Sequence, residues 1–360
     1  MKTASSIRVG VALRQGRIAT RRSGDAMSQI RLSQRKMSAN KSLQARASPT
    51  YSWSPGRTVD RRGYDERWLV ESKSSLTVGD QAFARMNTIA INQLSTLRWG
   101  MQDDALAYSD RGFAGIGIYR QKLDDFGLDR TVELLAETSL TVTSLSWAGG
   151  FTGSDGRRFD DAVADAMVAI RQAANLRAES LIVLAGGRNN HIRNHVRRTL
   201  IDALRRVSCV AEEFGVQLSM EPIHPGCGEE WCFINDLESC LQVIESVGSP
   251  NLGMVLDTYH VGMDEEVVRW LPDIVPHLRL VQLGDARHSP LGEMNRCLLG
   301  DGCVPLPTIL QTLRDHHYEG PIEVELLGED VESLSYDQVL DHTKRFVDRV
   351  LPDTARTSMR

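Results

Sequence analysis

Four residues with oxygen-bearing side chains occupy the same local setting in the second half of the chain. Glu221 follows the run VQLSM, Asp257 closes LGMVLD, Gln282 lies in LRLVQLGD and Glu325 in IEVELLG. Each stands at or just past the end of a short apolar stretch, and the separations are 36, 25 and 43 residues, about one strand–helix unit apiece. If these stretches are successive parallel strands, their ends share one edge and the four side chains meet. Three carboxylates brought together repel one another unless a cation lies between them. Carboxylate and amide oxygens suit a single hard or borderline divalent ion, Mn²⁺ or Mg²⁺ first and Co²⁺ or Zn²⁺ second. Taken singly, each reads as a solvated acid or amide at a strand end; the repetition carries the metal site.

The elements that must position these groups are legible as alternation. From Met86 onward, runs rich in Val, Ile and Leu recur: TIAIN from Thr88, GIGIY from Gly115, TVTSLSW from Thr141 and SLIVLAGG from Ser180. VQLSMEP from Val216, LGMVLD from Leu252, LRLVQLGD from Leu278 and IEVELLG from Ile322 complete a set of eight. Between them lie segments with apolar residues at three- and four-residue spacing, such as 160–174, 195–214, 236–246 and 307–315, which predict amphipathic helices. Alternating strands and helices call for a parallel sheet, and eight units in this length predict a (β/α)₈ TIM barrel with its active site at the C-terminal strand ends. A doubly wound open sheet is the alternative. It would need a glycine-rich loop after its first strand, and NQLSTLRWG after Ile91 contains none. The first four strand ends carry Asn92, Tyr119, Trp147 and Gly186–Gly187, all neutral. Trp147, an aromatic at a strand end, reads as stacking on a bound substrate or as wall packing.

Composition bounds the rest. With 41% hydrophobic and 25% charged residues, the chain reads as an ordinary globular protein, without a run of about 18 apolar residues to span a membrane. Its net charge of -5 hides an asymmetry: residues 1–85 carry 17 Lys and Arg against 6 Asp and Glu, the remainder 25 against 41. The segment 1–85 is therefore expected to be a largely disordered basic extension, 86–352 the barrel and 353–360 a short tail. An organellar transit peptide, a basic binding tail and a start assigned upstream of Met86 all account for the extension, and the last is preferred. Six cysteines without a CxxC pair suggest reduced thiols and a cytoplasmic setting.

Several motifs together resemble the sugar phosphate isomerase/epimerase superfamily of xylose-isomerase-like barrels, over about three quarters of the chain: MEPIHP (220–225), GMVLDTYHV (253–261), VQLGDAR (281–287), NRCLLGDGCVPL (295–306) and YEGPIEVELLG (318–328). The resemblance implies metal ligation by Glu221, Asp257, Gln282 and Glu325. It also implies that His224 and His260 face the substrate and that Arg296 binds it. Gln282 departs from the pattern, since many members have histidine there. The family's usual reaction is proton removal beside a carbonyl, the metal stabilising an enediolate. Glu221 and Glu325 would serve as catalytic carboxylates, one taking a proton and the other returning it. Return to the opposite face epimerises, return to the neighbouring carbon isomerises, and loss of a β-hydroxyl makes a lyase of the inosose or 3-dehydroshikimate dehydratase kind. A DNA-repair relative with three zinc ions would need more histidines at the strand ends, and the acidic domain offers nucleic acid no basic face. The remaining rival is a barrel that has lost its chemistry and serves only for binding. The expectation is thus a divalent-metal-dependent isomerase or epimerase of a small polyhydroxylated compound, without nucleic-acid or membrane partners and compatible with a homo-oligomer.

Overall fold

The computed structural model describes residues 88–228, 231–292 and 295–351. The expected basic extension over 1–85 and the tail over 353–360 lie outside the described residues. Eight parallel strands close into a barrel: β1 (Ile89–Asn92), β2 (Gly115–Tyr119), β3 (Thr141–Gly149), β4 (Ser180–Leu184), β5 (Leu218–Met220), β6 (Leu252–Asp257), β7 (Leu278–Leu283) and β10 (Ile322–Val324). Ile89 pairs with Ile322 of β10 while Ala90 pairs with Gly115 of β2, and this double pairing of β1 closes the sheet and excludes the open doubly wound alternative.

The strands are short and buried on both faces, which is why they read as continuous apolar runs rather than alternating ones. Helices cover the outside. The helix Phe159–Leu176 buries Ala162, Val163, Ala166, Ala169, Ile170 and Ala173 along one stripe, the small alanines allowing close approach to β3. β5 stops at Met220 and β10 at Val324, one residue before the two glutamates, so Glu221 and Glu325 begin the loops at the barrel mouth. After Glu221, Pro222 has no backbone N–H with which to continue the ladder.

An excursion between β7 and β10 matters for the site. Two short antiparallel strands, β8 (Asp285–Ala286) and β9 (Arg296–Cys297), form a hairpin after β7. The buried Asp285 carboxylate organises the turn that follows: it accepts hydrogen bonds from the backbone N–H groups of Gly300 (2.8 Å), Gly302 (3.1 Å) and Val304 (3.1 Å). The close approach explains the GDG sequence, because a Cβ at Gly302 would lie 2.0 Å from Asp285 Oδ1. Asp285 thus anchors the hairpin that carries Arg296. Among the described residues no helix is long and apolar enough to cross a membrane.

Candidate active site

Glu221, Asp257, Gln282 and Glu325 are all buried at the C-terminal mouth of the barrel. His260 joins them from the short helix Thr258–Val261, whose first turn is capped by Asp257 accepting from Tyr259 N at 2.8 Å. His260 Nε2 lies 3.7 Å from Glu221 Oε1 and 3.6 Å from Asp257 Oδ2. Among the described residues, Glu221, Asp257 and His260 form the one group of His, Cys, Asp or Glu side chains whose donor atoms all lie within 4.8 Å of one another. One cation could contact all three at ordinary ligand distances.

The other two expected ligands stand differently. Gln282 Nε2 donates to Glu325 Oε2 at 2.8 Å and to Glu323 Oε1 at 3.0 Å. Two carboxylates beside one end of the amide fix which end is nitrogen, since oxygen there would face only acceptors. Gln282 Oε1 is left buried with no hydrogen-bond partner among the described residues. Arg296, 1% exposed, reaches in from β9 and spans two expected ligands. Its Nη1 donates to Asp257 Oδ2 at 2.9 Å and its Nη2 to Glu325 Oε1 at 3.0 Å. The guanidinium also lies 4.1 Å from the Tyr259 ring centroid, a cation–π contact. The residue expected to bind substrate therefore competes with a cation for the charge of Asp257 and Glu325. The donor set fits a divalent ion on the Glu221, Asp257 and His260 side, with Gln282 Oε1 as an available neutral oxygen. Glu325 is occupied by Gln282 and Arg296.

The histidines are oriented by backbone. The His224 N–H donates to His260 Nδ1 at 3.3 Å, which puts the ring hydrogen on Nε2, toward Glu221 and Asp257. To ligate a cation through Nε2 the ring must move that hydrogen to Nδ1, where Cys227 Sγ is 3.6 Å away. The half-buried His224 ring accepts from Gly226 N at 3.0 Å and lies 3.3 Å from Ser289 Oγ, linking the β5 and β7 loops. Both histidines line a cavity of about 490 Å³ shared with Trp270, Ser289 and Pro290.

The opposite wall is aromatic. Trp147 at the end of β3 stacks on Tyr119 (centroids 5.6 Å apart, 29° between planes) and meets the Trp231 ring edge-on at 5.9 Å. The Trp147 carbonyl accepts from Arg120 Nη1 at 3.1 Å, and Arg120 is itself held by the buried Asp165. After β4, Arg188, His191, Arg193 and His195 are exposed around the start of the helix Arg193–Glu213 and present a solvated basic face.

Sequence reasoning passed over Glu323. It is fully buried in the barrel interior and accepts from Asn92 Nδ2 (2.6 Å), Thr143 Oγ1 (2.7 Å) and Ser144 Oγ (2.8 Å) as well as from Gln282. The available signal was EVE, two glutamates two residues apart and hence on one face of a strand.

Comparison with known proteins agrees with this geometry. The family model described as xylose isomerase-like TIM barrel matches residues 106–346. An inosose isomerase from Halalkalibacterium halodurans is 24% identical over 157 residues, which is 42% of this chain and 54% of that protein. A D-psicose 3-epimerase from Enterocloster bolteae is 32% identical over 126 residues, covering 34% of this chain and 37% of that one. The matched segments thus span about half or less of these curated relatives. Among solved structures, an IOLI protein with a binding zinc atom superposes with a TM-score of 0.66 at 18% identity, over 73% of this chain and 98% of that one, a likeness of fold. With the family model covering two thirds of its length and the barrel closed as described, the chain belongs to the xylose isomerase-like TIM barrel family.

Proposed function

We propose that this chain is a divalent-metal-dependent isomerase or epimerase of a small sugar, inosose or related keto-polyol. The observation that carries the reading is the convergence of Glu221, Asp257 and His260 within 4.8 Å, beside a buried Gln282 carbonyl oxygen that lacks a partner among the described residues. Relatives named as an inosose isomerase and a D-psicose 3-epimerase, and a zinc atom in a neighbour of the same fold, support it.

Glu221, Asp257 and His260 would hold the ion, with Gln282 Oε1 as a fourth donor, and the ion would supply Lewis-acid polarisation of a substrate carbonyl. The rest falls to the chain. Glu221 and Glu325 are buried at two ends of the constellation, so one takes the proton from the carbon beside the carbonyl while the bond's electron pair moves onto the carbonyl oxygen. The proton then returns to carbon, either from the same carboxylic acid to the neighbouring carbon or, to the opposite face, from the other side chain after solvent has protonated it. Arg296 holds the Asp257 and Glu325 side chains pointed inward and would donate to substrate oxygens. His260 would ligate through Nε2 with its ring hydrogen on Nδ1, beside Cys227 Sγ. Trp147, Tyr119 and Trp231 cover the substrate's C–H face and exclude water. The lyase outcome, loss of a β-hydroxyl after the same proton removal, is the second reading, because Gln282 stands where the resemblance puts histidine.

Elemental analysis and solvent exchange test this together. The purified chain should hold, or take up from Mn²⁺, close to one divalent ion, with Glu221→Gln retaining well under half. In D₂O it should exchange the proton beside the carbonyl of a ketohexose or an inosose. A chain that binds neither Mn²⁺ nor Zn²⁺ and exchanges no proton refutes the reading and favours a binding barrel.

A further inference from the structure

Glu323 sits below the proposed ligands and touches none of the atoms assigned to a cation or a substrate. Its hydrogen-bond donors among the described residues, Asn92, Thr143, Ser144 and Gln282, are all neutral. The barrel also makes room for it: a Cβ at Gly117 on β2 would lie 2.4 Å from the Glu323 carboxyl. Burying a carboxylate without a cationic partner is costly, and an apolar side chain of similar size would fill the space without that cost. Four donors aimed at its two oxygens mark Glu323 as an acceptor built into the barrel, with a purpose beyond packing.

We infer that Glu323 is a positioning residue that locks the Gln282 side-chain amide so that its carbonyl oxygen, and never its nitrogen, is presented to the site. The inference rests on the proposed function and names how its neutral oxygen donor is set. An ionised carboxylate only accepts. With Glu323 on one amide hydrogen and Glu325 on the other, a flipped amide would put Oε1 against two negative groups. Glu325 cannot be the permanent clamp, because its assigned role is to exchange protons and to bind Arg296. Glu323, pinned by three further donors from β1 and β3, keeps its place throughout. Histidine at 282 would lack the second amide hydrogen, so the glutamine and the buried glutamate beneath it form one device.

A double-mutant cycle on the full chain decides this, with Mn²⁺ affinity measured by electron paramagnetic resonance and no substrate present. Glu323→Gln is expected to weaken Mn²⁺ binding by roughly tenfold, because the introduced amide can donate as well as accept and so lets the Gln282 amide turn. In a Gln282→Ala background the same change should matter less than about twofold, since no amide remains to orient. Equal losses in both backgrounds would mean that Glu323 acts only through its charge, and no loss in either would mean that it does not act at all; each overturns the inference. Side-chain amide NMR of the metal-free chain gives a second readout. The Gln282 Nε2 protons, assigned by their disappearance in Gln282→Ala, should exchange slowly in the parent and rapidly in Glu323→Gln. Rapid exchange in the parent overturns the clamp. Slow exchange in a parent that binds no Mn²⁺ refutes the proposed function and leaves the clamp standing. Should Glu323→Gln fail to fold, Glu323→Asp, which keeps the charge but withdraws it by one methylene, is read in the same cycle with the same expected direction.

Discussion

Beside β1 and β2, the buried Lys122 places its ammonium 2.7 Å from Asp104 Oδ2, 3.2 Å from the Gln93 carbonyl and 2.9 Å from the Thr96 carbonyl. Asp104 is completed by Thr96 Oγ1 at 2.6 Å and Gln93 Nε2 at 2.8 Å. Across the barrel, Arg296 is buried with two carboxylates, Asp257 and Glu325, and beside them Gln282 Oε1 has no partner among the described residues. Both regions tie loops together with buried ions. The first is closed: each hydrogen of the ammonium has an acceptor, and nothing is left for a ligand. The second is open at one oxygen. Buried polar atoms are mostly satisfied, and this unmet oxygen lies among carboxylates at the barrel mouth, where a ligand could meet it.

The largest effect that sharpens this contrast is on turnover. Glu325→Gln keeps the shape of the side chain and removes its ability to accept a proton. A drop in kcat of about 10²–10⁴-fold is expected on any keto-polyol that the parent turns over, with a melting temperature near the parent's. Removing the charge from an open network should relieve repulsion with Glu323 and Asp257 as much as it weakens the contact with Arg296. If Glu325→Gln instead melted far below the parent while its folded fraction kept full activity, the open cluster would be structural after all.

The closed cluster should answer in the opposite way. Lys122→Met leaves Asp104 buried without its cation and costs about 3–5 kcal/mol at neutral pH, with KM and kcat of the folded fraction unchanged. Burial already pushes the Asp104 carboxyl up to about 6 against the opposing pull of Lys122, and without Lys122 it must rise further. A carboxyl whose folded value is raised contributes its full stability below its unfolded value near 3.8 and loses it as pH climbs toward the folded value. The parent stops losing stability from this group near pH 6, whereas Lys122→Met keeps losing it. The gap in melting temperature should therefore widen above about pH 6 and narrow in acid. A constant gap would show that Asp104 does not carry the charge assigned to it.

How much of this was legible in the sequence follows from the same physics. The barrel was, because parallel strands buried on both faces leave continuous apolar runs that periodicity cannot disguise. The shared rim position of Glu221, Asp257, Gln282 and Glu325 was, because one strand–helix unit per step carries each there. What escaped depends on contacts without a period. Arg296 meets Asp257 and Glu325 from a strand of two residues, and no repeat announces such a strand. His260 was expected to face substrate, and its 3.6–3.7 Å approach to Asp257 and Glu221 depends on the turn that Asp257 caps. Glu323 sits between Ile322 and Val324, where a lone acid in a strand suggests a solvent face. In a closed barrel that alternate face is the interior, which near the mouth is polar.

The smallest expected effect concerns the neutral half of the mouth. Trp147 is partly buried and packed against the core, so its ring serves packing, substrate or both. Its stacking on Tyr119 and edge contact with Trp231 build an aromatic wall, suited to a ring with hydroxyls on one side and C–H bonds on the other. Trp147→Ala should raise KM about tenfold and leave kcat within a few-fold, since the wall binds ground and transition states alike. Trp147→Phe should restore most of the affinity. Arg120, whose hydrogen bond goes to the Trp147 backbone carbonyl, remains in place in either variant, so the end of β3 should keep its course. A Trp147→Ala variant that melts several degrees lower with KM unmoved would assign the ring to packing, and would leave the charged half of the mouth to recognise substrate alone.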